Sequence, residues 1–208
     1  MTTNEPTRFE RLQARYQARD LPWDHELPPP EIIAAAERLP PGRVLDLGCG
    51  SARASIYLAA RGWQADGVDF IPEAIELARE RVRAAGQEAR VRLHLASVTD
   101  LHVLQQPYDL AIDVGCMHGL DEVERRAYAA EVARLVRPGG HYLLFAHLRT
   151  REDEPVAVSM PDGVVEALFQ ATFQIVQVER GITVVGDQQW HSAWYELVRR
   201  QDDDAMMG

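Results

Sequence analysis

The sequence offers little that would hold it in an oxidising compartment or a bilayer. Its 208 residues include two cysteines, Cys49 and Cys116, and neither has the paired spacing of a zinc site or a disulfide framework, so free thiols are expected. No apolar run approaches the ~18 residues a membrane span needs. The opening stretch, polar and charged from Met1 to Asp20, lacks the apolar core of a signal peptide, so a cytoplasmic protein without a membrane partner is expected. Basic runs with interleaved aromatics are missing too. A formal net charge of -10 repels a phosphate backbone, which argues against nucleic acid as a partner. No internal repeat is present, and the length suits one domain with a sizeable core.

Two compositional breaks divide the chain: the proline-rich "LPPPE" at Leu27 to Glu31, and the acidic "QDDDAMMG" from Gln201. They suggest an N-terminal segment over residues 1–30, a main domain over 31–200, and a flexible tail over 201–208. Within the main domain, apolar runs of strand length alternate with stretches of helical periodicity: "RVLDL", "QADGVDF", "VRLHLA", "YDLAIDV" and "HYLLFAH". This is the rhythm of a β/α fold with a largely parallel sheet. Ser51 is placed as the N-cap of a helix whose apolar face is Ala52, Ile56 and Ala59, with Gly62 as its stop. Pro72 suits the first turn of a helix with Ile75, Ala78 and Val82 on one stripe, closed by Gly86. Asp121 and Glu124 have capping-box spacing at the head of a helix running to a turn "RPGG" at Arg137 to Gly140.

The stretch "VLDLGCGSARA", Val44 to Ala54, interrupts a buried strand with Asp46 and then bares its backbone at Gly48 and Gly50. A glycine turn between the first strand and its helix lets a ligand approach the main chain closely. The dinucleotide fingerprint wants a third glycine where this chain has Arg53, and no Gly-Lys-Ser/Thr of a phosphate-binding loop comes after it. About twenty residues on, the second strand ends at Asp69, where a carboxylate can accept from both hydroxyls of a ribose.

These stretches resemble the class I S-adenosylmethionine-dependent methyltransferases over Arg43 to Leu148. "VLDLGCGSA" is similar to the family's first motif, "GVDFIPEAIELAR" to its acidic second-strand motif, "YDLAIDVGCMHGL" to its fourth strand and loop, and "LVRPGG" to the turn before its fifth strand. The resemblance implies a Rossmann-like, doubly wound, mostly parallel seven-stranded sheet with helices on both faces, and S-adenosylmethionine as cofactor. It also implies that Asp46, Gly48 and Gly50 shape the methionine end of the site, with Cys49 between them. Asp46 would order the turn's amides and orient the cofactor's ammonium through water. Asp69 would hold the ribose, Phe70 and Ile71 flank the adenine, and Asp113 close the fourth strand on the cofactor. Where the family often carries an aspartate for the adenine amino group this chain has Ser97, so Ser97, the backbone of Val98 or a reach from Asp100 takes that place.

Methyl transfer from a sulfonium is an in-line displacement that rests on alignment and exclusion of water. A protonated acceptor wants a base, and His118 and His147 stand at strand tips, as base, substrate contact or loop histidines bonded to backbone. No ligand spacing joins them to Asp113, so no metal is expected. Cys116 is read as a small side chain beside the methyl group, not a nucleophile. Trp190, His191, Trp194 and Tyr195 are assigned to the core. Tyr16, Trp23 and Asp24 precede the first strand, and "REDEPVAVSMPDG" comes after the fifth; both segments are placed over the pocket. Pro-Trp-Asp before prolines is similar to the corresponding segment of thiopurine and halide/thiol methyltransferases, which tilts the acceptor toward a small, soft nucleophile. The reading is methyl transfer to a small molecule at S, Se, halide, N or O, with a non-catalytic cofactor-binding protein or a protein methyltransferase as alternatives.

Overall fold

The computed structural model describes residues 6–150, 158–185 and 188–201. The flexible tail expected beyond Gln201, and residues 151–157 of the segment after the fifth strand, lie outside these. After helix α1 (Arg8–Ala18) and α2 (Pro30–Arg38), strand and helix alternate: β1 (Arg43–Leu47), α3 (Arg53–Ala59), β2 (Gln64–Asp69), α4 (Pro72–Ala84), β3 (Val91–Leu95), β4 (Tyr108–Val114), a 3-10 turn (Met117–Gly119), α5 (Glu122–Leu135), β5 (Val136–Arg149), β6 (Met160–Pro161), α6 (Val164–Phe169), β7 (Phe173–Val185) and β8 (Gln188–Arg199). The sheet runs β3-β2-β1-β4-β5-β8-β7, seven strands as expected, and the two-residue β6 adds an eighth beside β5. The first five strands of that path are parallel, while β8 is antiparallel to both β5 and β7.

Neighbouring residues on the central strands go to opposite faces, as a sheet covered on both sides requires. Val44, Leu110 and Leu143 join a core with Ile32 of α2, Leu58 of α3 and Val82 of α4, whereas Leu45, Ala111 and Leu144 join another with Tyr128 and Val132 of α5 and Phe169 of α6. Because the central strands are parallel, Gly48–Gly50, Asp69, the turn after Val114 and the end of β5 all gather at one edge. In open sheets of this kind that edge is where ligands bind.

Two local expectations are corrected. Ser51 is not the N-cap of α3; that position belongs to Ala52, in the left-handed region at φ 61° and without a side-chain cap. Ser51 turns its hydroxyl to Asp24 instead. The "RPGG" turn is a bulge inside β5: Tyr108 faces Val136 while Leu110 faces His141, so the intervening residues loop out of register. The prolines at Pro29 and Pro30 begin α2, Pro30 in its first turn, where a missing amide hydrogen costs nothing.

The capping box of α5 forms as expected, with Asp121 accepting from the Glu124 amide and Glu124 accepting from the Asp121 amide. Glu124 has a second task, since Arg8 of α1 grips it through two hydrogen bonds of 2.7 and 2.8 Å. Glu124→Ala therefore loses a cap of about 1 kcal/mol and a part-exposed ion pair of about 0–1 kcal/mol. A urea melt should show a loss of about 1–2 kcal/mol, and amide exchange should quicken along α1. Unchanged protection of α1 would show that Glu124 does not hold it.

Candidate active site

The turn after β1 is shaped for close approach. Gly48 and Cys49 both donate their amides to the Val68 carbonyl at 2.9 Å. Gly48 has φ +70°, and a Cβ there would lie 2.7 Å from Cys116 Cβ. Gly50 has φ +54°, and its Cβ would come 3.0 Å from the Tyr16 hydroxyl. Any side chain at either position is opposed by both backbone and neighbours. The Gly50 amide donates to Asp69 Oδ2 at 3.0 Å, and the Ile71 amide donates to Asp69 Oδ1 at 2.9 Å. Each carboxylate oxygen keeps a further acceptor direction, so two hydroxyls can still be received. Burial raises the Asp69 pKa, against the lowering effect of those amides.

Asp46 works one layer behind. Its Oδ2 accepts from the Ser55 hydroxyl at 2.6 Å and from the Ser55 amide at 3.2 Å. Ser55 is the third residue of α3, so Asp46 supplies from the neighbouring strand the cap that Ala52 cannot provide. The role expected for it, ordering the glycine turn's amides, is corrected to this one. Burial lifts its pKa to about 6, offset in part by Ser55.

On the side assigned to the adenine, Phe70 meets Phe9 of α1 edge to face at 5.9 Å, beneath the Arg8 guanidinium. Ile71 is buried with Tyr16 and Ala74. Ser97 is exposed, with its hydroxyl 2.7 Å from that of Thr99, while Val98 is buried. The reach suggested for Asp100 is not made: it is exposed and bonded to His102 at 2.8 Å.

After β4 the sequence assigned Asp113 to the cofactor, and the structure gives it different work. It is 0 % exposed. Its Oδ1 accepts from the Cys116 amide at 2.6 Å, and its Oδ2 accepts from the Met117 amide at 3.0 Å and the Tyr128 hydroxyl at 2.7 Å. Burial lifts its pKa to about 6. Asp113 thus anchors the loop from behind, and so places Cys116 against Gly48. Burial pushes the Cys116 thiol well up, which disfavours a thiolate there.

His118 and His147 are brought together, their rings stacked at 4.7 Å, and Trp190 stacks on the other side of His147 at 5.6 Å. Trp190 was assigned to the core; the signal that places it here is register, because Ser192 pairs with His147 and Trp190 lies one step further along the same face. His118 Nδ1 accepts from the His147 amide at 3.2 Å. In the neutral ring its proton therefore sits on Nε2. Burial, with His147 and Arg125 adding to it, lowers the His118 pKa to about 3. At neutral pH His118 presents a hydrogen-bond donor at Nε2 in this tautomer, whereas a base acting through that nitrogen would need the other. Among the described residues no group of three or more His, Cys, Asp or Glu side chains is arranged to hold a metal ion.

The N-terminal segment crosses this edge. Gln13 and Gln17 donate to Glu73 at the head of α4, while Arg8 holds Glu124 and the Gly119 carbonyl beyond β4. Tyr16 is 9 % exposed and Trp23 38 %, so the segment's aromatic anchor is Tyr16; Trp23 rests edge-on against it at 6.3 Å. A cluster that the sequence did not reveal fastens the chain just beyond Trp23. Asp24 accepts from Arg81 at 2.6 and 2.9 Å and from Ser51 Oγ at 2.6 Å, and Arg81 also donates to Ser51 Oγ at 2.9 Å. Asp24 and Arg81 lie too far apart in sequence for a spacing argument to join them.

The Methyltransferase domain family matches residues 44–140. The chain is 32% identical over 146 residues to the 2-heptyl-1-hydroxyquinolin-4(1H)-one methyltransferase of Mycobacteroides abscessus, covering 68% of this chain and 64% of that protein. It thus spans just under two thirds of that relative's length. It is 31% identical over 173 residues to the ubiquinone biosynthesis O-methyltransferase of Xanthomonas campestris pv. campestris, covering 81% of this chain and 71% of that one. Its fold is that of the 1,6-didemethyltoxoflavin-N1-methyltransferase of Burkholderia thailandensis, solved with bound S-adenosylhomocysteine, at a TM-score of 0.70, 21% identity, and coverage of 92% of this chain and 86% of that one. With the glycine turn, the Asp69 strand tip and the strand order in place, the chain belongs to the class I S-adenosylmethionine-dependent methyltransferases.

Proposed function

We propose that this methyltransferase acts on a small-molecule nucleophile beneath a roof formed by the N-terminal segment. The observation that carries the reading is Asp69, buried at a strand tip with one amide on each oxygen, beside two glycines whose side chains would be refused. Such a cradle suits a ribose and a chain of atoms pressed against backbone. Asp69 receives the hydroxyls, Gly48 and Gly50 admit the methionine end with Cys49 between them, and Phe70, Ile71, Ser97 and Val98 border the base. S-adenosylmethionine, when bound, supplies an electrophilic methyl group on a sulfonium. The chain's own contribution is alignment and dryness: Tyr16 over Gly50, Cys116 over Gly48, and the stacked rings of His118, His147 and Trp190 bordering the acceptor. The relatives' names, a hydroxyquinolone methyltransferase and an O-methyltransferase, support a small-molecule acceptor and move the preferred acceptor atom from sulfur or halide to oxygen. No helix among the described residues is long and apolar enough to cross a membrane.

Calorimetry should register S-adenosylmethionine binding. Asp69→Ala removes up to two hydrogen bonds to a charged acceptor, each worth roughly 1.5–3 kcal/mol, so affinity should fall on the order of tenfold to several hundredfold. Asp69→Asn, which can still accept the Gly50 or the Ile71 amide, should fall between. Unchanged affinity in folded Asp69→Ala would sink the ribose assignment.

Deleting the residues before Leu27 removes Tyr16 and Asp24 together. Methyl transfer should drop much more than cofactor affinity, because the floor is built by the sheet and the reaction needs the dry roof. Full activity in the truncated, still folded protein would remove the roof from the account.

Turnover between about pH 5 and 8 should show no limb near the ordinary imidazole value of ~6.5 that His118 produces, because its ring stays neutral throughout this range. His118→Ala should lower turnover at every pH by loss of a donor and a stacking surface. A limb near ~6.5 present in the parent and absent from the variant would restore His118 as a base.

A further inference from the structure

Arg125, on the first turns of α5, is a buried cation with no ion pair of its own among the described residues. It is 6 % exposed, and its Nε is buried without a hydrogen-bond partner among the described residues. A terminal nitrogen donates to the His118 carbonyl, over a long 3.3 Å. The nearby carboxylates are engaged elsewhere: Glu124 is held by Arg8, Glu122 by Arg126, and Asp121 caps the helix. Burial, with the cation Arg149 at the end of β5 adding to it, depresses the Arg125 pKa, while the charges of Asp121, Glu122 and Glu124 partly offset this. A buried guanidinium without an ion-pair partner is strongly unfavourable, and its planar fork fits a two-oxygen anion better than any other group. A second orphaned nitrogen lies in the same cluster, Nδ1 of His147, buried and unpartnered among the described residues, in the ring that stacks on His118. Arg125 reaches the His118 carbonyl, and the His118 ring stacks on His147.

Building on the proposed function, we propose that Arg125 is a specificity-determining residue that receives a carboxylate of the methyl acceptor, so that the chain's substrates are small molecules bearing a carboxylate apart from the atom methylated. Arg149 adds positive potential to the same place. His147 borders the bound group on its orphaned edge. Among the described residues the neighbouring carboxylates bond to Arg8, Arg126 and the helix cap, and none bonds to Arg125.

The test has two readouts. In the absence of any ligand, Arg125→Met keeps the aliphatic stem and deletes the unpaired charge, so its melting temperature should equal or exceed that of the parent, by about 2–4 °C for each kcal/mol of relief in a chain of this length. A lower melting temperature would assign Arg125 to the fold and overturn the proposal. The second readout is calorimetric affinity, on protein saturated with S-adenosylhomocysteine, for two matched pairs: 3,4-dihydroxybenzoate against catechol, and 2-mercaptobenzoate against thiophenol. The parent should bind at least one carboxylated member tenfold or more tightly than its neutral counterpart. That preference should vanish in Arg125→Met and survive in part in Arg125→Lys, which keeps the charge and loses the fork. Equal affinities in the parent for both pairs, no measurable binding of either carboxylated probe, or a preference untouched in Arg125→Met would each overturn it. Binding of S-adenosylhomocysteine alone is read in the same instrument, so a failure of the cofactor site is told apart from a failure at Arg125.

Discussion

The carboxylate edge of this sheet is organised around one buried ionisable group. Asp69 takes the amide of Gly50 from one turn and that of Ile71 from the next, which fixes the tips of β1 and β2 against each other. The geometry exists only because Gly50 adopts a left-handed conformation that brings its amide round to the carboxylate. Each charge-assisted bond contributes roughly 1.5–3 kcal/mol, yet the Asp69 pKa is still raised, with burial as the largest cause. The amides of Ile71, Gly50 and Phe70 together do not fully offset the desolvation. Further donors arriving from a ligand would stabilise the charged form, so the same carboxylate that holds the turns together is most at ease when the site is filled.

From this fixed point the N-terminal segment is seated. Ile71, whose amide Asp69 holds, packs with Tyr16 and Ala74, and Tyr16 in turn overlies Gly50. α1 is thus seated on the residues that Asp69 positions, and its two ends are tied to different helices, at Glu73 of α4 and Glu124 of α5. The Asp24, Arg81 and Ser51 cluster fastens the chain between α1 and α2 to the turn itself. Its carboxylate is mostly buried and its bonds are short, which gives it more weight than an exposed pair of the same composition. Lifting the N-terminal segment means breaking this cluster and both ties of α1.

What the sequence made legible was whatever is encoded by short-range pattern. The five parallel strands, the helix from Pro72, the capping box at Asp121 and the glycine turn facing Asp69 all rest on residues within a few positions of each other, or on a spacing imposed by one βαβ unit. The errors have a common cause in longer-range competition. Ser51 is a good N-cap by composition, but Asp24 from another segment takes its hydroxyl and Asp46 takes over the helix end. Asp113 looked like a strand-tip ligand, yet Tyr128, fifteen residues on and on the inner face of α5, draws it into the loop's foundation. Trp190 looked like core because an alternating aromatic strand usually is. β8 outruns the pairing of its inner neighbour at Ser192, and the tryptophan just beyond meets His147 instead. Arg125 lay unremarked in a charged helical face, where only burial distinguishes it from Arg126.

The acceptor side is therefore a place where charge is managed by burial as much as by pairing. Asp46 and Asp113, both lifted to about 6, hold protons more firmly folded than unfolded. The destabilisation they cause is complete above their folded pKa and is relieved as pH falls through about 6 toward the ordinary carboxylate range. His118, lowered to about 3, has the opposite sign, since the unfolded ring takes a proton below about 6.5 that the folded ring refuses, and stability is lost as pH falls from there. Over the interval from about 4 to 6 these slopes oppose one another. Over that interval the relief at the two carboxylates partly offsets the cost of keeping His118 neutral. That neutrality has a chemical consequence. An uncharged His118 leaves the stacked rings polarisable and non-cationic, where an imidazolium would repel a sulfonium, and among the described residues Arg125 and Arg149 are cations of the same neighbourhood.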